Sequence, residues 1–162
     1  MHQLHQWILW HRERELPPPL SSALCKLCIA AAKFIESQSI SPSRSQNELA
    51  VTLTKLGFSV QEELIIQEGY SIDVVVLWKG KWVAIEFDGP SHSLRGDGVR
   101  SASGATMLKH RQLRSLGWQL VVVPYWEWDE VRGSQAKRRQ YLLHKLKQVE
   151  IMATSSCGHT NF

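Results

Sequence analysis

Residues 71–88 of the chain are SIDVVVLWKGKWVAIEFD, and this stretch decides the fold. Two apolar runs, Ser71–Trp78 and Trp82–Asp88, stand on either side of the pair Lys79-Gly80. Runs of this length that are rich in Val and Ile predict β-strands, and a two-residue connection containing glycine predicts a tight turn. The stretch therefore predicts a β-hairpin.

Further helices and strands are predicted on both sides of the hairpin. Before it, Ser45–Leu56 predicts a helix and Phe58–Ile66 a strand. After it, Thr106–Leu116 predicts a helix and Trp118–Tyr125 a mostly apolar strand. The order is helix, three strands, helix, strand, and the last strand returns to the sheet by a crossover. The predicted fold class is therefore α/β, a mixed sheet with helices on its faces.

The N-terminal residues 1–44 are interpreted as a helical segment and a linker that precede the domain. His2–Glu15 and Ser22–Glu36 carry apolar residues near helical spacing, and the serine-rich stretch 37–45 marks the boundary. The apolar residues expected to form the buried face of the first helix are Leu4, Trp7, Ile8 and Trp10.

The domain itself is predicted to cover residues 45–150. It ends in a basic helix, Gln135–Val149, and residues 151–162 are expected to form a disordered tail. Between Lys109 and Lys147 the chain carries nine Lys or Arg against three acids. For any single one of these basic residues, a solvated helix face is the simpler interpretation.

Composition limits the class of protein. Hydrophobic residues make up 43% of the 162 residues, so a domain with a core is expected and global disorder is not. No apolar run approaches the roughly 18 residues of a membrane-spanning helix, so no membrane partner is expected. A net charge of +4 is compatible with nucleic acid, and three cysteines suit a reducing compartment.

Three acids in the hairpin need a counter-charge. Alternation places Glu86 and Asp88 on one face of their strand. A two-residue turn sets Asp73 of the preceding strand directly opposite Glu86. Like charges so arranged destabilise a sheet, and burial raises the cost. The sequence leaves three compensations open: a divalent cation such as Mg²⁺, basic side chains such as Lys109 and Arg111, or solvent at the strand ends.

Glu48 is a candidate fourth member of this acidic set. A local role competes with this one, since Ser45-Gln46-Asn47-Glu48 fits a capping box in which Glu48 accepts from the backbone N–H of Ser45. The sequence leaves both roles open.

The segment Ile85–His92, IEFDGPSH, resembles the RAP domain, named for RNA-binding proteins abundant in apicomplexans. The resemblance continues through LKHR at Leu108–Arg111 and LGW at Leu116–Trp118 to VPYWEW at Val123–Trp128. RAP domains are similar to nucleases of the PD-(D/E)xK superfamily, closest to endonucleases of very-short-patch repair. The resemblance therefore implies a restriction-endonuclease-like fold.

The resemblance also implies site residues. Glu48 matches the acid of the first helix, Asp73 the metal-binding Asp, and Glu86 the acid of the (D/E)xK element. Asp88 falls where the superfamily has its Lys, a departure that puts phosphate activation in doubt. His92 is a candidate acid or base, or else a loop histidine with a structural hydrogen bond. The implied catalytic set is Glu48, Asp73, Glu86, Asp88 and His92, with Asp73 and Glu86 as ligands of Mg²⁺ if the protein is catalytic.

RAP domains commonly end larger mitochondrial or chloroplast proteins, including FAST-kinase-domain and octotricopeptide repeat proteins, that stabilise, process or splice RNA. The resemblance implies an organellar RNA-binding protein acting in rRNA or mRNA stabilisation, RNA processing or mitoribosome structure. The expected location is the mitochondrion, or alternatively the chloroplast. Expected partners are single-stranded or ribosomal RNA and ribosomal or RNA-processing proteins. The alternative function is a metal-dependent endoribonuclease that uses Asp73, Glu86 and Asp88.

Candidate RNA contacts are basic and aromatic. Phosphates are the expected partners of Arg95, Lys109, Arg111 and Arg114. Unpaired bases are expected to stack on Tyr125, Trp126 and Trp128. Core packing is the simpler role for these aromatic side chains.

Overall fold

The computed structural model describes residues 2–39, 41–90, 93–94 and 101–156 of the chain. The elements within them, in chain order, are α1 (His2–Glu13), α2 (Ser22–Ser39), α3 (Arg44–Lys55), β1 (Val60–Ile65), β2 (Ser71–Trp78), β3 (Lys81–Asp88), β4 (Ser93–Leu94), β5 (Ser101–Ala102), α4 (Gly104–Ser115), β6 (Gln119–Pro124), α5 (Tyr125–Val131) and α6 (Gln135–Ser156).

The main sheet contains four strands in the order β1-β2-β3-β6. β1, β2 and β3 are antiparallel neighbours, and β6 joins β3 in parallel after a crossover that contains α4. This arrangement confirms the predicted mixed sheet of an α/β fold. β4 and β5 pair with each other in a separate two-stranded ribbon.

The β2–β3 hairpin has the predicted register. Trp78 pairs with Lys81, and at constant register the ladder brings Asp73 level with Glu86. The turn residues Lys79-Gly80 have φ of 49° and 80°, so both are left-handed. This is the backbone of a type I′ turn, whose twist matches that of the flanking strands. The turn therefore fixes which side chains of β2 and β3 face each other.

Helices cover both faces of the sheet. On one face α3, α5 and α6 pack against the strands, and on the other face α1 and α4 do so. Burial of a large apolar side chain in such a core contributes roughly 1.5–3 kcal/mol. The largest fully buried members of the first core cluster are Leu49, Leu53, Ile85, Trp128, Leu142 and Leu146. The second includes Leu9, Ile72, Val75, Leu113 and Leu120.

The last predicted strand ends earlier than expected. β6 stops at Pro124, and Tyr125–Val131 forms α5 instead of continuing the strand. Proline has no N–H to donate to the ladder, but its φ suits the residue that precedes a helix. Because the chain turns into a helix here, Trp128 points into the core and is fully buried.

The cap of α3 differs from the prediction. The helix begins at Arg44, and the capping box is formed by Ser43 and Gln46. The backbone N–H of Gln46 donates to Oγ of Ser43 at 3.2 Å, and the Gln46 side chain accepts from the backbone N–H of Ser43. The capping role predicted for Ser45 and Glu48 is therefore wrong. Glu48 lies one turn further along the helix and is free to bind elsewhere.

Helix α1 buries a different face from the one predicted. His5, Ile8 and Leu9 are buried, whereas Trp7 is 42% exposed, as is Leu4. The His5 ring binds the backbone carbonyl of Glu68, which anchors α1 to the turn before β2. The prediction that both tryptophans of α1 form its buried face is therefore wrong. Since Leu9 belongs to the sheet core, α1 packs directly on the domain, and the division at residue 45 stays a prediction.

Helix α6 continues through Ser156, into the segment 151–162 that was expected to be a disordered tail. Residues 157–162 lie outside the described part of the chain. Within the described residues, no helix combines the length and apolar character that crossing a membrane demands.

Candidate functional site

The predicted counter-charge for the strand acids is a lysine. Nζ of Lys109, on α4, lies 2.6 Å from Oε2 of Glu86, near the end of β3. Burial raises the pKa of Glu86 to about 8, and Lys109 offsets only part of that rise. Burial acts to lower the pKa of Lys109, but the carboxylates of Glu86 and Asp73 outweigh it and raise that pKa. Lys109 therefore stays charged at neutral pH.

Asp73 is held by the backbone of the partner strand. Its Oδ2 accepts a hydrogen bond of 2.8 Å from the N–H of Phe87. This bond replaces a ladder contact where β2 and β3 diverge, because the last paired positions are Val74 and Ile85. Asp73 thereby satisfies a β3 backbone donor beside Glu86.

A further acid, Glu63, joins this group. It lies on β1 between residues paired with Val74 and Ile72, level with Asp73. Oγ of Ser71 donates to Oε2 of Glu63 at 3.0 Å. Burial raises the pKa of Glu63, Asp73 adds to the rise, and Lys109 opposes it. Sequence reasoning missed Glu63, although its place opposite Asp73 follows once the β1–β2 register is known.

Asp88 faces a histidine. Its Oδ1 lies 3.4 Å from Nε2 of His110, and both side chains are buried. His110 lies on the buried face of α4, one turn from Thr106 and next to Lys109 in the chain. Both Glu86 and Asp88 thus meet α4, as strand alternation requires of residues on one face. His110 was also missed, although the LKHR motif contains it.

These acids do not form a ready magnesium site. Mg²⁺ demands open carboxylate oxygens in octahedral geometry, but Oδ2 of Asp73 and Oε2 of Glu86 already bind Phe87 and Lys109. Across the described ranges, no three His, Cys, Asp or Glu side chains are grouped so that they could hold a metal ion. Two polar atoms of this group are left over, since Oε1 of Glu86 and Nε2 of His110 are buried without a hydrogen-bond partner in the described structure.

Glu48 lies apart from the other acids. Arg132 binds it in a bidentate arrangement, with Nε 2.9 Å from Oε2 and Nη2 3.0 Å from Oε1. Nε of Arg44 donates to Oε1 at 3.1 Å. The hydrogen bond from Arg132, against a smaller effect of burial, holds the pKa of Glu48 below its usual range. The structure does not bring Glu48 into contact with Asp73 or Glu86.

Of the described basic side chains expected to contact RNA, two form ion pairs with acids of the protein and one does not. Lys109 is committed to Glu86, and Nε of Arg111 lies 2.8 Å from Oε1 of Glu13 on α1. Arg114 is exposed and makes no ion pair with a described residue. The remaining candidate Arg95, like the predicted acid or base His92, lies outside the described residues.

The aromatic candidates also divide. Trp128 is fully buried and packs edge-on against Tyr141. The rings of Tyr125 and Trp126 are half-buried, 5.3 Å apart, and border a shallow cavity. Asp129 and Glu130 line the same cavity, so negative charge surrounds the accessible edge of Trp126. Tyr125 and Trp126 are therefore the accessible rings of the three, and they lie beside two acids.

Helix α6 is the basic helix that the sequence predicts at Gln135–Val149. Residues 135–149 contain five Lys or Arg and no Asp or Glu. Nζ of Lys145 binds Glu127 at 2.7 Å, but Lys137, Arg139 and Lys147 point into solvent. We refer to these three exposed side chains as the α6 basic face.

A cavity of about 470 Å³ lies between α3 and the first turn of α6. We refer to it as the α3–α6 groove. Its polar lining comprises Arg44, Asn47, Glu48, Lys55, Gln135 and Arg138.

Comparison with known proteins agrees with the resemblance drawn from the sequence. Residues 85–145 match the family model described as RAP domain. The chain is also 33% identical over 100 residues to a protein named "RAP domain-containing protein, chloroplastic" from Oryza sativa subsp. japonica. The aligned part covers 62% of this chain and 15% of that relative's length. The expected resemblance to RAP domains is confirmed.

Proposed function

We propose that this chain, whose residues 85–145 are a RAP domain, binds RNA and acts in the RNA metabolism of the chloroplast. The relative's name supports the chloroplast, the alternative location expected from the sequence, and gives the mitochondrion no support. Stabilisation or processing of rRNA or mRNA, or a role on the ribosome, is the proposed setting. RNA and ribosomal or RNA-processing proteins are the proposed partners.

The observation that carries the proposal is the α6 basic face. Lys137, Arg139 and Lys147 are exposed on a helix that has no acid among residues 135–149 to neutralise them. Exposed cations along one helix attract the phosphates of a nucleic acid and release its counterions, so binding of this kind weakens as salt rises.

The ion pairs made by basic residues of α4 favour α6 over α4 as the RNA-binding surface. Two of the expected phosphate contacts, Lys109 and Arg111, are tied to Glu86 and Glu13 respectively. A cation already paired with a carboxylate contributes less to phosphate binding than a solvated one. Arg114 remains available on α4, and Trp126 remains available for stacking.

A metal-dependent endoribonuclease is the second candidate function. One observation favours it: Oε1 of Glu86 is buried without a partner beside Asp73. The ion pair between Lys109 and Glu86 opposes it, because the ammonium occupies the place beside the carboxylate that a cation needs. RNA binding is the better supported of the two.

Binding is tested by fluorescence anisotropy with a single-stranded RNA and a hairpin RNA of equal length, over a series of salt concentrations. We expect salt-dependent binding by the wild type, and a loss of about tenfold or more in Lys137→Glu and Lys147→Glu, because each reverses a phosphate-facing charge. The matched control Lys81→Glu reverses an exposed charge at the β2–β3 turn and is expected to bind nearly as well as the wild type. Equal losses in all three variants would contradict the proposed interface.

Cleavage is followed on the same RNAs with Mg²⁺, Mn²⁺ or a chelator. We expect intact RNA and equal binding in all three conditions. Metal-dependent cuts that disappear in both Asp73→Ala and Glu86→Ala would instead establish the endoribonuclease.

A further inference from the structure

We propose that the α3–α6 groove binds a phosphate group of RNA, an inference that rests on the proposed function and assigns it a specific contact. The groove lies on the face of the sheet that carries α3, α5 and α6, remote from the buried acids that meet α4. It is distinct from the carboxylate cluster of β2 and β3.

Positive charge dominates the groove. Arg44, Lys55 and Arg138 line it, and the one carboxylate among its lining residues is that of Glu48. Glu48 already receives three hydrogen bonds, two from Arg132 and one from Arg44. Lys55 and Arg138 have no carboxylate partner among the described residues. The groove therefore has an excess of positive charge that an anion can neutralise.

One buried donor in the groove lacks an acceptor. Nε of Arg138 is buried and has no hydrogen-bond partner in the described structure. Buried polar atoms in folded proteins nearly always have a partner, so an unmatched donor of a charged group needs an explanation. A phosphate oxygen fits the planar guanidinium in both charge and geometry. Nε itself is covered by the protein, but the guanidinium lines the groove and has no acceptor among the described residues, so its outer nitrogens are the donors that a phosphate in the groove would meet.

Glu48 has a positioning role in this arrangement. Its bidentate bond holds Arg132 against α3, and its bond to Arg44 draws that side chain over the groove from the first turn of the helix. The position that the nuclease resemblance assigns to a catalytic acid thus orders arginines around an anion site. Amide donors from Asn47 and Gln135 add uncharged hydrogen bonds to the same lining.

RNA is favoured over an acidic peptide because the groove continues into the α6 basic face. Lys137 and Arg139 are exposed on the two sides of Arg138 around the helix, so RNA backbone that leaves the groove on either side meets a cation. An acidic peptide is the competing occupant, and the experiment includes it.

The test compares one RNA oligonucleotide, made with a 5′-phosphate or with a 5′-hydroxyl, across four proteins. These are the wild type, Arg138→Gln, Arg139→Gln from the α6 basic face, and Arg14→Gln, which removes an exposed charge from the opposite layer. Circular dichroism melting first establishes that each variant is folded.

We expect Arg138→Gln to weaken binding about tenfold, Arg139→Gln clearly less, and Arg14→Gln hardly at all. The slope of log K against log salt should fall by about 0.7 in Arg138→Gln, as loss of one phosphate contact to a single strand predicts. A preference of the wild type for the 5′-phosphate that disappears in Arg138→Gln identifies a terminal phosphate. Equal affinity for the two RNAs identifies an internal phosphodiester.

Three outcomes overturn a proposal, and they are distinguishable. If the wild type binds RNA but Arg138→Gln loses no more than Arg139→Gln, the groove assignment fails and RNA binding stands. If polyglutamate displaces RNA from the wild type as well as unlabelled RNA does, the groove binds acidic peptides. If the wild type binds neither RNA at low salt, the proposed function itself fails.

Discussion

Nζ of Lys109 lies 2.6 Å from Oε2 of Glu86, although 23 residues separate them in the chain. Helix α4 crosses the end of β3 and inserts this lysine beside the strand acids. The carboxylate of Asp73 raises the pKa of Lys109, and the charge of Lys109 opposes the rise in the pKa of Glu63. Of the three compensations that the sequence leaves open, this structure shows the basic side chain at Glu86. The ion pair has consequences for stability that can be measured.

Removal of the lysine should destabilise the fold in a pH-dependent way. Above about pH 8, where Glu86 is ionised in the wild type, Lys109→Met leaves that carboxylate buried without a counter-charge, which costs about 2–4 kcal/mol of the free energy of unfolding, given about 3–5 kcal/mol for a broken, fully buried pair. The pKa of Glu86 is already raised from 4.5 to about 8, and loss of the ammonium raises it further. A raised pKa gives stability that is present below 4.5 and lost as pH rises. The deficit of Lys109→Met should therefore grow from acid toward alkaline pH in urea denaturation.

Two variants separate the ion pair from simple loss of a side chain. Glu86→Gln combined with Lys109→Met should recover much of the lost stability, because neither buried group is then charged. Arg114→Met, an exposed change on the same helix, should alter stability by less than about 0.5 kcal/mol. A deficit in Lys109→Met that stays constant with pH would show that packing, not charge, is the cause.

Glu48 should stabilise the fold only when it is ionised. Its pKa is held below the ordinary value of 4.5, chiefly by the hydrogen bond from Arg132. A lowered pKa gives stability that is present above 4.5 and lost as pH falls through the value in the folded protein. Glu48→Gln should therefore be less stable than the wild type at neutral pH, and the two urea midpoints should converge in acid.

The matched variant for this comparison is Glu62→Gln, on the exposed side of β1. It should follow the wild type at every pH. If the gap between Glu48→Gln and the wild type stays unchanged in acid, the Arg132 pair contributes nothing and the difference lies in helix propensity.

Helix α1 should contribute to stability through Leu9 and not through Trp7. Leu9 is 3% exposed and belongs to the sheet core, whereas Trp7 is 42% exposed. Leu9→Ala should cost about 2–5 kcal/mol, the usual result of emptying a core position. Trp7→Ala should stay within about 0.5 kcal/mol of the wild type. Chemical denaturation of both variants checks this, and the reverse ranking would restore the face predicted from the sequence.

Much of the fold could be predicted because it depends on patterns among residues that are close together in the sequence. The turn at Lys79-Gly80 sets the register of β2 on β3 by local backbone geometry, and Asp73 and Glu86 are level as a result. The strand after α4 was also predicted, but its apolar character indicated a sheet interior, and that is wrong: β6 is an edge strand, apolar because helices cover the sheet on both faces. What failed was local detail: Pro124 ends β6, and Ser43 instead of Ser45 caps α3.

The candidate site was less predictable because its partners meet over long sequence separations. The sequence named Glu86 and Lys109 but could not choose the lysine over a metal. It could not pair Glu48 with Arg132, which lies 84 residues away. Nothing in the sequence distinguished the burial of Trp126 from that of Trp128, because the difference follows from helix α5, which buries Trp128.

The sequence by itself determined the order of elements, the hairpin register and the RAP resemblance, since each depends on neighbouring residues and on local backbone preference. Which charges pair with one another and which remain for a ligand depends on how the helices pack on the sheet. Coulombic and hydrogen-bonding energies depend on distance and burial, and helix packing sets both. Docking of α4 on the sheet paired Lys109 with Glu86, and docking of α6 on α3 left Nε of Arg138 without an acceptor among the described residues.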